Sequence, residues 1–172
     1  MDHFTPLFTV LATLISGQTA SSHPDASPSR TIQDVLEPAF QSLRQLVENF
    51  LTQPVNPPAT HQFEHQVQER LREVGRLVTQ WSYNQIEPAA VSELPKHVQF
   101  QGTLYTRLNR KTPENVSTLF GQIRLWRVGY RPTDKTPESS IFPLTLALGL
   151  VHGGSPALVE RACQWLGEAG MT

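Results

Sequence analysis

Two amphipathic stripes separated by a proline-rich break constrain this chain more than any other feature. Apolar residues recur at spacings of three and four from Ile32 to Leu51, and again from Phe63 to Trp81. That period places the apolar residues of each segment on one side of an α-helix. The break between the stripes, Thr52–Thr60, is short and holds three prolines, which favours a hairpin of two antiparallel helices.

The ends of the two helices follow from their capping residues and prolines. We predict that the first helix starts near Glu37, with Pro38 in its first turn, where a missing N–H does no harm. The second is predicted to be capped by Thr60 and to stop before Pro88. Each stripe needs a partner, either the other helix or another copy of the chain. The second stripe is therefore our candidate oligomerisation surface, and its residues are Phe63, Val67, Leu71, Val74, Val78 and Trp81.

The middle of the chain changes from helical periodicity to a period of two. Apolar and polar residues alternate in Val98–Arg107 and in Gly121–Tyr130, and Val116–Leu119 is short and rich in residues that favour strands. We predict a small antiparallel β-meander, with a polar turn that includes Asn109–Asn115.

The two ends of the chain complete the predicted organisation. Residues 1–30 are predicted to hold an apolar start and a flexible linker, while residues 141–172 form a C-terminal helical segment. Within that segment, Ser155 is a good helix cap and Pro156 suits the first helical position. This last helix is a candidate first helix of a truncated helix-turn-helix. The predicted fold class is α+β, mainly α, with a helical hairpin over 31–88, a basic meander over 96–135 and C-terminal helices.

Charge is distributed unevenly along a chain whose net charge is only −1. Residues 96–135 carry eight Lys or Arg against two acids, a net of +6, whereas residues 1–95 have a net charge of −5. A globally basic DNA-coating protein is excluded, but a basic segment with interleaved aromatics fits a nucleic-acid surface. The alternative is a solvated hairpin whose aromatics are core and whose arginines line the outer face; alternation groups Arg127 with Ile123 and Leu125, which favours a structural role for it. The candidate DNA-contact residues are Arg107, Arg110, Lys111, Arg124, Arg127 and Arg131.

The residues that could carry chemistry do not form a self-sufficient active site. The four aspartates are too scattered to build the carboxylate cluster of a two-metal centre. His61 and His65 have metal-ligand spacing, but the scarcity of partners favours a solvated polar face. Cys163 lies on an apolar stripe, which favours a core position, and Ser155 is a cap rather than a nucleophile. We predict no catalytic residue, no bound metal and no cofactor.

Three motifs, in order, resemble bacterial insertion-sequence transposases of the Kra type. They are the TLFG hairpin of Thr118–Tyr130, the FPL and LGL segment of Phe142–Leu150, and the SPAL helix of Ser155–Arg161. The likeness reaches back to the helix Glu64–Val78. Members of that family often carry a cysteine pair before the FPL segment, and Arg131–Ser140 has none, so the resemblance implies no zinc site.

The resemblance implies a DNA-transposing protein whose ribonuclease-H-like catalytic domain lies downstream of this region. We therefore expect the non-catalytic amino-terminal part of such a transposase, as a truncated or decayed copy. Its expected partners are double-stranded DNA at transposon ends and itself or full-length transposase. No run of apolar residues reaches the ~20 that a membrane span needs, so a cytoplasmic protein is expected. The alternative is a protein-interaction module that pairs with or inhibits full-length transposase; an autonomous enzyme and an inert remnant are further hypotheses.

Overall fold

A computed structural model describes residues 5–6, 31–134 and 139–169. Within these residues the chain is α+β and mainly α, as predicted. The predictions for the apolar start and linker, residues 1–30, lie outside the described residues except at Thr5–Pro6. The elements in chain order are β1 (Thr5–Pro6), α1 (Ile32–Thr52), α2 (Pro57–Gln85), a 3-10 turn (Val91–Glu93), β2 (His97–Phe100), β3 (Thr103–Thr118), β4 (Gly121–Pro132), α3 (Pro143–Ala147) and α4 (Pro156–Ala169).

Helix α1 begins five residues before the predicted start near Glu37. Thr31 caps it, because its hydroxyl accepts the Asp34 N–H at 3.2 Å while the Asp34 carboxylate accepts the Thr31 N–H at 2.8 Å. This reciprocal capping box satisfies amides that the first turn leaves without partners. Pro38 consequently lies inside the helix rather than in its first turn, and the helix continues through it.

Helix α2 also begins earlier than predicted. Asn56, rather than Thr60, is the cap, and its side-chain oxygen accepts the Ala59 N–H at 2.9 Å. The prolines that follow Asn56 occupy the first helical turn, where no N–H is required. The two helices pack on each other as the predicted hairpin, and the Phe50 and Phe63 rings stack with centroids 4.1 Å apart.

The sheet has the strand order β1-β2-β3-β4. The β2–β3 and β3–β4 pairs are antiparallel, while the two residues of β1 lie parallel to β2. Gln101 and Gly102, which connect β2 to β3, both have positive φ, 49° and 82°. Two such residues in succession suit a tight hairpin connection, whose twist matches that of the strands. The predicted meander is therefore present.

Strand β3 contradicts the polar turn that we predicted over Asn109–Asn115. The strand runs on through that segment and pairs with β4 as far as Thr118. Pro113 is tolerated because it faces Trp126, whose own N–H points away from β3. In an antiparallel pair of this kind both nitrogens point outward, so Pro113 removes no bond of the ladder.

Two small hydrophobic clusters lie on opposite faces of the sheet. One consists of Leu94, Val98, Tyr105, Val128 and Tyr130. The other consists of Val116, Ile123, Leu125 and Leu144, and it is covered by Leu148 and Leu150 of the C-terminal segment together with Tyr83 and Ile86 at the end of α2.

The C-terminal segment is joined to the sheet through Ser117 of β3. The Ser117 N–H donates to the Gly153 carbonyl at 2.7 Å, and the Ser155 N–H donates to the Ser117 carbonyl at 2.9 Å. Ser155 is buried and caps α4, since its hydroxyl accepts the Leu158 N–H at 3.4 Å. The prediction that Ser155 is a helix cap is confirmed.

Candidate nucleic-acid interface

The β3–β4 hairpin has one covered face and one open face near its turn. Side chains alternate between the two faces of a strand, and directly paired residues share a face. Ile123 and Leu125 are buried against the C-terminal segment. On the other face, five exposed side chains lie together, and we call this set the open face: Pro113, Asn115, Gln122, Arg124 and Trp126.

Arg124 and Trp126 form the chemical centre of the open face. The guanidinium carbon of Arg124 lies 5.0 Å from the centroid of the Trp126 ring, a cation–π contact. Trp126 is 42% exposed, although a large aromatic residue usually buries most of its surface. Their spacing of two residues on one strand places both side chains on the same face. The open face therefore presents a positive charge and a flat aromatic ring to solvent.

The last part of α2 holds the outer edge of β4 in place. The Gln80 side chain accepts the Arg124 N–H at 2.8 Å, and the Asn84 side chain accepts the Trp126 N–H at 2.8 Å. Asn84 also donates to the Arg124 carbonyl at 2.9 Å. Polar side chains from one helix thus take the place of a neighbouring strand.

Two further bonds continue this arrangement along β4. The Glu87 carboxylate accepts the Val128 N–H at 2.9 Å, and the Tyr130 N–H donates to the Ile141 carbonyl at 2.8 Å. Gln80 and Asn84 lie four apart on one side of α2, and Glu87 follows two residues after the helix ends, so the three side chains match alternate residues of the strand. The sequence did not identify these three side chains, because polar residues at helical spacing are equally typical of a helix face that contacts only solvent.

Burial shifts the pKa values of two charged side chains beside the outer edge of β4. Desolvation raises the pKa of Glu87 to about 7, although Lys111, the Val128 hydrogen bond and Arg127 each act to lower it. Burial also lowers the pKa of Lys111, against the attraction of Glu87 and Glu93. Lys111 is half-buried, so part of its charge is balanced inside the protein.

Two of the six candidate DNA-contact residues are engaged in internal contacts. The guanidinium of Arg107 donates to the carbonyls of Ser92 and Leu94. Arg127 pairs with Glu114 at 2.9 Å, and its side chain is only 14% exposed. It also lies 3.7 Å from the centroid of the Phe142 ring. Both guanidinium groups are therefore held by contacts within the fold.

The remaining basic residues do not form a single surface. Arg124 and Arg131 are both exposed, but they lie seven positions apart, so alternation points them to opposite faces of β4. They are also about 23 Å apart along the strand at ~3.3 Å per residue. Arg110 is exposed where the β3–β4 register shifts, next to Lys111. Arg124 thus lies on the open face, Lys111 shares its side of the ribbon through its pairing with Val128, and Arg110 is the exposed neighbour of Lys111.

The candidate oligomerisation residues divide between internal packing and exposure. Phe63 stacks on Phe50 within the hairpin, while Val67, Val74 and Trp81 are half-buried. Leu71 is 54% exposed and Val78 is 38% exposed. Internal packing therefore leaves part of the stripe uncovered.

The other residues that could carry chemistry, Cys163, His61 and His65, are all exposed. Cys163 is exposed, so the expected core position is wrong; α4 projects from the sheet, and its side chains from Val159 to Glu168 are all exposed. His61 and His65 bring their Nε2 atoms to 3.2 Å. Within the described parts of the chain, no three His, Cys, Asp or Glu residues cluster as a metal site.

None of the described helices is both long and apolar enough to cross a membrane.

Comparison with known protein families, curated proteins and solved structures finds no match for this chain.

Proposed function

We propose that this chain contacts double-stranded DNA through the open face of the β3–β4 hairpin. The observation that carries the proposal is the exposed Arg124–Trp126 pair, on a part of the sheet that no other described element covers. Arg124 and Arg110 supply charges for phosphates, and Lys111 adds to the local potential. Trp126 supplies a flat apolar surface for a sugar or a base edge.

The shape of the hairpin supports the same proposal. Strands β3 and β4 form a two-stranded ribbon that extends past β2, since β2 pairs only with the first residues of β3. A two-stranded ribbon fits the major groove of B-form DNA. The polar side chains of Asn115 and Gln122 flank the Arg124–Trp126 pair, and both are exposed. Amides of this kind donate to and accept from base edges.

The resemblance to Kra-type insertion-sequence transposases supports a more specific form of the proposal. The DNA is then a transposon end, and the chain is the non-catalytic amino-terminal part of a truncated or decayed transposase. It acts in the cytoplasm, requires no cofactor and binds DNA without cleaving it.

The test is a titration of labelled duplex DNA at a series of salt concentrations. Each phosphate contact contributes about 0.9 to the slope of log affinity against log salt. The double variant Arg110→Ala/Arg124→Ala should lose about two contacts and flatten the slope accordingly. Arg131→Ala is the matched control, because it removes an exposed arginine from the opposite face. An unchanged slope in the double variant would overturn the proposed interface.

A second variant tests the aromatic half of the site. Trp126→Ala should weaken binding at every salt concentration without a change of slope, since it removes contact area and not charge. Trp126→Phe should retain most of the affinity. Equal affinity of the wild type and Trp126→Ala would remove the indole from the proposed interface.

The helical hairpin supports a second candidate function, a protein-interaction module that pairs with another copy or with full-length transposase. No side chain of α1 or α2 is buried, although both helices carry apolar stripes. Phe40 on α1 is 47% exposed and Leu71 on α2 is 54% exposed. Apolar surface of this extent favours a partner.

This second candidate is tested by the mass of the chain in solution. Association through apolar surface should persist at high salt, because salt screens charges and not apolar contacts. Leu71→Glu should then reduce the mass to that of a monomer, while Arg72→Glu, on the adjacent exposed position, should not. A monomeric wild type at all concentrations would contradict pairing between copies.

A further inference from the structure

The first turns of α2 hold a pair of histidines in a fixed orientation. The Asn56 cap anchors the start of the helix. Phe63, which is the seventh residue of the helix, stacks on Phe50 of α1. His61 and His65 each lie two residues from Phe63, which is about 200° around the helix at 3.6 residues per turn. The stack therefore faces α1, and the histidines face away from it. Both are exposed.

The two imidazole rings converge on one point. Their centroids are 4.5 Å apart, the rings meet at 65°, and the Nε2 atoms are 3.2 Å apart. At that separation the Nε2–H of one neutral ring donates to the lone pair on the Nε2 of the other, and the tautomers decide which ring is the donor. A metal ion placed there would take one lone pair from each Nε2, and the ring that carried its hydrogen on Nε2 would carry it on Nδ1 instead, so both ligands stay neutral.

The separation of the nitrogens matches the spacing of two metal ligands. Zinc binds histidine nitrogen at ~2.0–2.1 Å, and a tetrahedral angle then puts the two nitrogens about 3.3 Å apart. The observed 3.2 Å lies within the ±0.2 Å that a plausible site allows. The backbone needs no rearrangement, because residues four apart are already neighbours on one side of the helix.

We propose that His61 and His65 bind one divalent transition-metal ion of the zinc, nickel or copper class through their Nε2 atoms. Imidazole suits these metals, whereas calcium and magnesium prefer oxygen ligands. No third His, Cys, Asp or Glu of the described chain completes the site. The remaining coordination positions therefore stay open for water or for a donor from a second molecule. The sequence pattern alone favoured a solvated face, and the distance between the rings is what changes that interpretation.

The test uses zinc chloride and the full chain, without a polyhistidine tag. Calorimetric titration should give one zinc per chain. His61→Ala and His65→Ala should each weaken zinc binding at least tenfold. Removal of a residue that merely hydrogen-bonds to a metal ligand typically lowers metal affinity about 10–100-fold, and removal of the ligand itself should cost more. Both residues are exposed, so the variants should keep the circular dichroism of the wild type.

Matched controls separate this pair from other histidines. His97 bonds to Thr106 and His152 lies in a turn with a φ of 49°, so His97→Ala and His152→Ala should leave zinc affinity unchanged. One zinc per two chains, with a doubled mass in solution, would support the site with the second copy as the additional donor. The proposal is overturned if His61→Ala and His65→Ala bind zinc as the wild type does, or if the wild type binds none.

Discussion

The side-chain oxygen of Asn84 accepts the backbone N–H of Trp126 at 2.8 Å, so the last turn of α2 fixes the strand segment that carries the exposed indole. The same amide group donates to the Arg124 carbonyl. Replacement by alanine removes both bonds, and we expect the free energy of unfolding to fall by about 1–2 kcal/mol. Urea unfolding measures the loss. Asn84→Asp, which keeps an acceptor but no donor, should lose less.

The neighbouring exposed residue supplies the control for that experiment. Gln85→Ala should change the free energy of unfolding by no more than about 0.5 kcal/mol, as surface substitutions commonly do. An Asn84→Ala protein as stable as Gln85→Ala would show that these two bonds add nothing to the stability of the fold.

The ion pair of Arg127 with Glu114 should contribute to the stability of the fold. Both side chains are largely buried, and Arg127 also lies against the Phe142 ring. Arg127→Ala leaves the Glu114 carboxylate without its partner, so we expect a loss of about 2–4 kcal/mol, near the range for broken buried pairs. Thermal or urea unfolding measures it. Arg131→Ala, an exposed arginine four residues along, should be neutral; a neutral Arg127→Ala would mean that the pair is not formed in solution.

Glu87 predicts how stability depends on pH. Burial raises its pKa from 4.5 to about 7 in the folded protein, so between those values the folded state holds the proton more tightly than the unfolded state. Stability is therefore greatest below the unfolded pKa, and this contribution is lost as the pH rises from about 4.5 to about 7.

Glu87→Gln removes this titration and keeps an acceptor for the Val128 N–H. At pH 8 we expect the variant to be more stable than the wild type by about 1–3 kcal/mol, and at pH 4 we expect the two to be nearly equal. Unfolding curves at the two pH values measure the difference. A variant that is less stable at pH 8 would mean that attraction to Lys111 and Arg127 outweighs the cost of burial.

Gly129 predicts a steric limit in β4. A Cβ atom on this residue would lie 2.7 Å from Cε1 of Phe142 and 3.0 Å from Cδ1 of Leu108. Gly129→Ala should therefore destabilise the fold by about 1–3 kcal/mol, the usual cost of overpacking. Gly167→Ala is the control, since nothing lies within 4 Å of the added atom and alanine favours helix α4. Unfolding measurements that show equal effects for the two variants would contradict this packing.

Periodicity predicted the elements of this fold, but not their ends. The stripe of α1 was visible from Ile32 onward, yet the presence of Pro38 suggested a later start, and the Thr31–Asp34 capping box decided otherwise. Polar composition suggested a turn over Asn109–Asn115. The structure instead extends β3 through it, because pairing with β4 outweighs local preference and the nitrogen of Pro113 points away from β4.

The sequence was enough to predict which residues could form the candidate site, but not which of them the fold leaves exposed together. Alternation already placed Arg124 and Trp126 on one side of a strand. However, the sequence does not tell which face of the sheet is covered, and that depends on where Leu144 and the C-terminal segment pack. Arg107 looked like a surface charge because its carbonyl partners are distant in sequence, whereas alternation already grouped Arg127 with Ile123 and Leu125.

The paired outer edge of β4 has a consequence for how copies of this chain can meet. Exposed strand edges are the usual templates for fibres and for exchanged strands. Here the outward amides of Arg124, Trp126, Val128 and Tyr130 already have acceptors, and Pro113 offers no hydrogen on the free side of β3. Growth of the sheet by backbone addition is therefore blocked along the outer edge of β4, and fibrils that extend from this edge should not form as long as the end of α2 stays in place.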